Sequence, residues 1–139
     1  MKKQDVLQYL DGKDYLVLYF YPKDDTPGCT VEAKDFSCLQ GEFSALGVAI
    51  LGCSKDDEAS HNKFVAKHQL NLTLISDEDL SLHKELGTWG EKKNYGNTYL
   101  GVIRSTFLLD KDGNIVKEWR NVRAKGHAQR VLDYVKIII

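Results

Sequence analysis

Tyr15-Leu16-Val17-Leu18-Tyr19-Phe20 is an unbroken run of six apolar and aromatic residues. A run that short and that continuous predicts a strand buried on both faces. Ahead of it, Gln4 to Leu10 reads as a short helical turn stopped at Gly12. Thr26-Pro27-Gly28 then breaks the chain. From Cys29 to about Leu46 the apolar positions Val31, Ala33, Phe36, Leu39 and Phe43 recur at threes and fours, the stripe of an amphipathic helix. Gly47 to Cys53 predicts a second buried strand. The acidic Asp56-Asp57-Glu58 opens a helix to about His68, and Leu72 to Ile75 predicts a third strand. Asp77 is placed to cap a helix that ends at Gly87. Further on, Arg104–Leu109 and Ile115–Trp119 predict two strands joined by Asp110-Lys111-Asp112-Gly113, a strong hairpin signal. A last helix covers roughly Ala128 to Lys136.

Strands alternating with helices imply right-handed parallel units, and the closing hairpin adds antiparallel strands. The expectation is an α/β protein with a central mixed sheet flanked by helices, in the thioredoxin-like order of a β-α-β unit followed by β-β-α. With 139 residues and neither linker nor repeat, the chain reads as one domain over residues 1–139. A chain of this length buries roughly two thirds of its unfolded surface, so it needs neither a disulfide nor a metal to fold.

Charge and cysteine content narrow the chemistry. Lys and Arg number 19 against 20 Asp and Glu, so the net charge of −1 argues against a nucleic-acid or anionic-membrane partner. No apolar run approaches a membrane span, and Asp5, Asp11 and Asp14 break up any secretory signal. Three cysteines are an odd number and too few for a disulfide scaffold, which favours a reducing cytoplasm.

Cys29 stands directly after the Pro22–Gly28 turn, in the first turn of a helix. Unpaired backbone N–H groups and the positive end of the dipole favour a thiolate there. Thr26, three residues earlier, places a hydroxyl to reach the sulfur or a bound substrate oxygen. Position alone equally allows a small buried cysteine filling the seam between helix and strand. Arg104 opens the otherwise uncharged run Ser105-Thr106-Phe107-Leu108-Leu109, and a charge held at a sheet needs a partner. A thiolate is one such partner. The alternative is an arginine at an exposed strand end.

The string from Tyr19 to Thr30, Tyr-Phe-Tyr-Pro-Lys-Asp-Asp-Thr-Pro-Gly-Cys-Thr, resembles the peroxiredoxin pattern Pro-x-x-x-Thr-x-x-Cys. Trp89-Gly90-Glu91-Lys92-Lys93, Tyr95-Gly96, Arg104-Ser105-Thr106-Phe107 and Lys125-Gly126-His127-Ala128 extend the likeness to the bacterioferritin comigratory protein, or peroxiredoxin Q, branch, from about Gly12 to Lys136. The resemblance implies a thiol peroxidase acting on hydrogen peroxide and organic hydroperoxides without a cofactor. It implies Cys29 as the peroxidatic thiolate, oxidised to sulfenic acid. Thr26 would bind the peroxide, Arg104 would steady thiolate and leaving oxygen, and Pro22 would shield the sulfur. It also implies recycling by thioredoxin or a similar dithiol donor, in a monomer or weak dimer.

Two departures from the branch stand out. A resolving cysteine often lies five residues after the peroxidatic one, where this chain has Lys34. Cys38, nine residues on, would be about 13.5 Å away along one helix, against the ~7 Å that a disulfide tolerates between Cα atoms. Cys53 ends a buried strand on the sheet edge where such sites gather, although a packed core cysteine is the stronger reading. These positions favour reduction by an external thiol, with Cys38 the main internal rival. The family's N-terminal β-hairpin is also expected to be missing ahead of Lys2. The rival from another class is a catalytically silent thioredoxin-like binding or holdase module. His61 and His68 lack a third metal ligand at known spacing and read as solvent-facing, and Asp110–Gly113 is a turn rather than a calcium loop.

Overall fold

The computed structural model describes residues 1–139, apart from the side chain of Asn94. A 3-10 helix, Lys3–Leu10, precedes β1 (Tyr15–Phe20), α1 (Pro27–Ala45), β2 (Val48–Ser54), α2 (Glu58–His68) and β3 (Thr73–Ser76). Then come α3 (Ser81–Glu85), β4 (Trp89–Asn94), β5 (Asn97–Val102), β6 (Ser105–Asp110), β7 (Ile115–Trp119) and α4 (His127–Ile138). Five strands make one sheet in the order β3-β2-β1-β6-β7, while β4 and β5 form a separate ribbon. β1 is parallel to β2 and antiparallel to β6, and this mixed sheet with flanking helices is the thioredoxin fold.

β1 occupies the middle of the sheet because both of its faces are apolar. Val17 and Tyr19 pack on one side with Phe36 and Phe43 of α1, Phe64 of α2, and Val131 and Leu132 of α4. Leu16, Leu18 and Phe20 pack on the other with Val6, Leu82, Leu86 and Phe107. Alternation on each strand sorts the residues between these two cores. Gly52 in β2 has no substitute, since a Cβ there would lie 2.6 Å from Leu74 Cδ2 and 2.8 Å from Tyr19 Cζ. The missing side chain lets the Tyr19 ring lie across the sheet and stack on Phe36 at 4.6 Å.

The structure departs from the sequence pattern in three places. The ribbon β4–β5 was not legible from alternation, because much of it is exposed and its burial does not follow a two-residue period. α3 is only five residues long, and Leu80 rather than Asp77 is its N-cap. Asp77 instead accepts from the His83 amide at 2.8 Å and from His83 Nδ1 at 2.7 Å. In α1 the predicted stripe holds at Ala33, Phe36, Leu39 and Phe43 but not at its first position. Val31 is 43% exposed, and Glu32 is fully buried in its place.

His127 at the start of α4 is buried with Thr106 Oγ1 2.7 Å from its Nε2. Burial, then the nearby Arg130 and Arg104 charges, holds its pKa down at about 4. A base with a depressed folded pKa contributes stability above its unfolded value of 6.5, and that contribution is lost as pH falls toward 4. His127→Gln removes this titration. The stability advantage of wild type over the variant should shrink by about 3 kcal/mol between pH 6.5 and 4, read from paired guanidinium unfolding curves. An unchanged difference would show that His127 titrates normally.

Candidate active site

β1 delivers the chain into a tight loop, Tyr21 to Thr26, that turns directly into α1. Thr26 is the N-cap of that helix with extended backbone, Pro27 takes the first helical position, and Thr30 N–H closes the first turn on Thr26 O at 2.8 Å. Cys29 therefore lies in the first turn, where backbone N–H groups are free and the dipole favours negative charge. Its side chain is buried, with a relative exposure of 1%.

Arg104 reaches the same point from the other side of the sheet end. Its Nη2 donates to Cys29 Sγ at 3.3 Å, and its Nη1 donates to Glu32 Oε1 at 2.6 Å. Glu32 is one turn on from Cys29, so both project from the same side of α1 and grip one guanidinium. Gly28 leaves room for this, since a Cβ there would sit 3.3 Å from Arg104 Nη2. Arg104 precedes β6 rather than lying within it, and its carbonyl accepts from Val122 N–H at 3.0 Å. Burial pushes the Glu32 carboxyl up to about 7, with Arg104 opposing. The second carboxyl oxygen of Glu32, Oε2, is buried without a partner. Thr26 Oγ1 donates to Lys23 O at 2.9 Å and does not reach the sulfur. Pro22 is half-buried in the same loop.

This arrangement can hold negative charge on a sulfur and present a donor fork to a neighbouring oxygen. The AhpC/TSA family matches residues 2–118 of this chain. Peroxiredoxin Bcp of Bacillus subtilis is 47% identical over 122 residues, covering 88% of this chain and 78% of the relative. The chain is a peroxiredoxin of the AhpC/TSA family. Peroxiredoxin Bcp of Escherichia coli is 40% identical over 121 residues, covering 87% of this chain and 78% of that protein. Among solved structures, the bacterioferritin comigratory protein of Xanthomonas campestris, studied for alkyl peroxide reduction, superposes with a TM-score of 0.84 at 45% identity. It covers 91% of this chain and 80% of that one. BcpB from Mycobacterium tuberculosis gives 0.82 at 28% identity, over 96% and 85% of the two chains. The activity is thiol-dependent peroxide reduction, and the silent-module alternative is not favoured.

Within this peroxiredoxin neither of the other two thiols is paired with Cys29. Cys38 is exposed on α1, nine residues from Cys29 and so about 13.5 Å along the helix. Cys53 belongs to the opposite core, beside Phe20 and Leu51, so the sheet separates it from Cys29. The position at the sheet edge that suggested proximity is offset by strand alternation, which turns Cys53 to the wrong face. Burial pushes its thiol pKa well up. Cys53, Asp77 and His83 each bring one ligating atom within 4.8 Å of the others, a buried trio that spacing did not reveal. Asp77 already takes two donors from His83, and Cys53 is held as a neutral thiol. His61 is not solvent-facing, and His68 is partly buried. His61 is 3% exposed and lies 2.8 Å from Asp24, while His68 lies 2.7 Å from Asp25. The loop before Cys29 folds its two acids back onto α2, a tertiary contact that helix periodicity does not encode. Among the described residues no helix is long and apolar enough to cross a membrane.

Glu32 and Cys29 compete for one guanidinium. Glu32→Gln keeps an acceptor for Nη1 and removes the competing charge, so iodoacetamide should alkylate Cys29 faster than in wild type at pH 8, where the carboxylate is charged. Arg104→Leu should slow the same reaction by about tenfold, the equivalent of one charge-assisted hydrogen bond. Slower alkylation in Glu32→Gln would show that the carboxylate supports the thiolate instead.

Proposed function

We propose that Cys29 is the peroxidatic residue of this enzyme and that the thiolate attacks the terminal oxygen of a hydroperoxide. The S–O bond forms as the O–O bond breaks. Sulfur loses two electrons, and the departing alkoxide or hydroxide takes a proton to leave as alcohol or water. Cys29 becomes a sulfenic acid, which must be reduced before further oxidation makes it irreversible. The observation that carries this reading is the 3.3 Å contact from Arg104 Nη2 to Cys29 Sγ in the first turn of α1. Arg104 donates to the sulfur and steadies charge on the leaving oxygen. Thr26 supplies the peroxide-binding hydroxyl once it turns from Lys23 O, and Pro22 shields the sulfur from water. Hydrogen peroxide and small organic hydroperoxides fit the reading.

Reduction by an external thiol follows from the placement of the other cysteines, Cys38 too far along the same helix and Cys53 beyond the sheet. An incoming thiol displaces water from the sulfenic acid to give a mixed disulfide. The donor's second thiol then releases Cys29 and leaves as the donor's disulfide, which makes thioredoxin or a similar dithiol protein the natural reductant. A reducing cytoplasm suits a chain with three free cysteines. The reading takes the protein as a monomer or weak dimer that needs no cofactor.

One equivalent of hydrogen peroxide added to reduced protein with dimedone is expected to give a single adduct that maps to Cys29. Cys29→Ser should abolish peroxide turnover with the fold intact, and residual turnover would sink the mechanism. Cys38→Ser should leave turnover with a dithiol donor unchanged. Loss of two mass units without an adduct, together with a large loss in Cys38→Ser, would establish internal resolution.

A further inference from the structure

The loop before Cys29 is fastened to α2 by two consecutive acids. Asp25 takes Lys67 Nζ at 2.6 Å and His68 Nε2 at 2.7 Å on the surface. Asp24 points inward and is buried. Its Oδ1 accepts from Tyr21 OH at 2.5 Å, and its Oδ2 takes Ser60 Oγ and His61 Nδ1, both at 2.8 Å. Its own amide donates to Asp56 Oδ2 at 2.8 Å, and Asp56 is held in turn by Ser54 Oγ at 2.7 Å. Ser60, His61, Phe64, Lys67 and His68 form one face of α2, and Phe64 completes the seam against Tyr21.

His61 differs from the other ties in what it requires. Its Nδ1 faces the Asp24 carboxylate, and its Nε2 faces the Ile75 carbonyl of β3 at 3.0 Å. Both neighbours are acceptors only, and a neutral imidazole has one N–H. The two contacts can be hydrogen bonds together only when the ring carries both protons. A neutral ring would set a lone pair against either the carboxylate or the carbonyl, inside a site 3% exposed.

We propose that His61, as an imidazolium, is a positioning residue for peroxide reduction: by clamping Asp24 to β3 it sets the Tyr21–Thr26 loop, and through it Thr26 and the first turn that carries Cys29. The proposal rests on Cys29 as the reacting thiol. Asp24 and His61 touch neither the sulfur nor the peroxide, so they act through Thr26, two residues beyond Asp24. A shift of about 1 Å in such a loop costs up to about a hundredfold in rate.

The groups facing His61 make its charge titratable in a known direction. From the loop these are Asp24 and Tyr21, whose OH is 3.3 Å from Nδ1. Asp56 contributes from the turn before α2, and β3 presents the Ile75 carbonyl. An open pocket beside the ring is lined by Met1, Tyr9, Glu58 and Glu78. Burial disfavours the cation, but the Asp24 hydrogen bond and charge, Ile75 O and Asp56 together raise the pKa above 6.5. The clamp is therefore intact below 6.5 and is lost as pH rises through that raised value. Asp24 is lowered, so the opposite limb lies on the acid side, below 3.8.

The test uses the full chain carrying Cys38→Ser, which removes the exposed thiol and leaves Cys53 in the opposite core as the only other cysteine. The second-order rate of Cys29 oxidation by hydrogen peroxide is followed by rapid quench and mass analysis from pH 5 to 10. The parent should react fast at neutral pH and slow down on the alkaline side. His61→Gln, shown to be folded by circular dichroism, should be slower by roughly tenfold at pH 7 and should lose the alkaline fall. Asp24→Asn should match it, and the double variant should add no further loss. Ser60→Ala removes a hydrogen bond to the same carboxylate without removing the titrating ring. It should lower the rate modestly and keep the alkaline fall. A His61→Gln protein with the parent rate, or with the alkaline fall intact, overturns the proposal while leaving Cys29 as the peroxidatic residue. An inert parent overturns the peroxidatic assignment itself, and this inference with it.

Discussion

A guanidinium half-buried at the end of a sheet must be given acceptors on more than one side, and the arrangement around Arg104 follows from that requirement. One nitrogen is taken by Glu32 and the other by Cys29, both from the first two turns of α1. The carboxylate makes the half-buried cation tolerable, and the cation makes a charged sulfur tolerable. Neither α1 nor the strand end would bury these groups alone, because an unpaired charge there costs several kcal/mol. The pairing is also unequal in a useful way. Burial raises the Glu32 carboxyl while Arg104 lowers it, so the carboxylate's hold on the guanidinium is weakened by its own burial.

The sheet supplies the rigidity that this contact needs. β1 is buried on both faces, and its end places the Tyr21–Thr26 loop at the mouth of the site. Gly52 admits the Tyr19 ring, and Tyr19 against Phe36 fixes α1 over the sheet. The same alternation that builds the two cores separates the cysteines. Cys29 faces the helical layer of α1 and α4, while Cys53 faces the layer of the 3-10 helix and α3. The proposed external reductant rests on strand geometry as much as on where cysteines fall in the chain.

Around this rigid frame the loop before Cys29 is held by charge rather than by apolar packing. Asp24 and Asp25 reach α2, and the polar network from Ser54 to His61 satisfies nearly every donor it buries. Such a network is specific in geometry and sensitive to protonation, whereas an apolar contact would be neither. A catalytic loop needs that specificity, and the price is a dependence on one histidine's charge.

Much of this was legible in the chain. The run Tyr15–Phe20, the α1 stripe and the turn Asp110–Gly113 are local patterns, since burial on two faces, on one face or on none writes a distinct period into neighbouring residues. The motif that places Pro22, Thr26 and Cys29 is equally local, because it occupies one loop and one helical turn. Arg104 was marked by being a charge at the edge of an apolar run. Glu32 was not, because an acid on a helix reads as solvent-facing until a cation 72 residues away is folded against it. His61 and His68 were misread for the same reason: their partners Asp24 and Asp25 are 37 and 43 residues distant. Sequence by itself determined which elements form, the exposed ribbon β4–β5 apart, and which thiol heads a helix, since those depend on neighbours along the chain. Which buried charges are paired, and which cysteines face each other, was decided only when the sheet set its faces and brought distant strands and helices together.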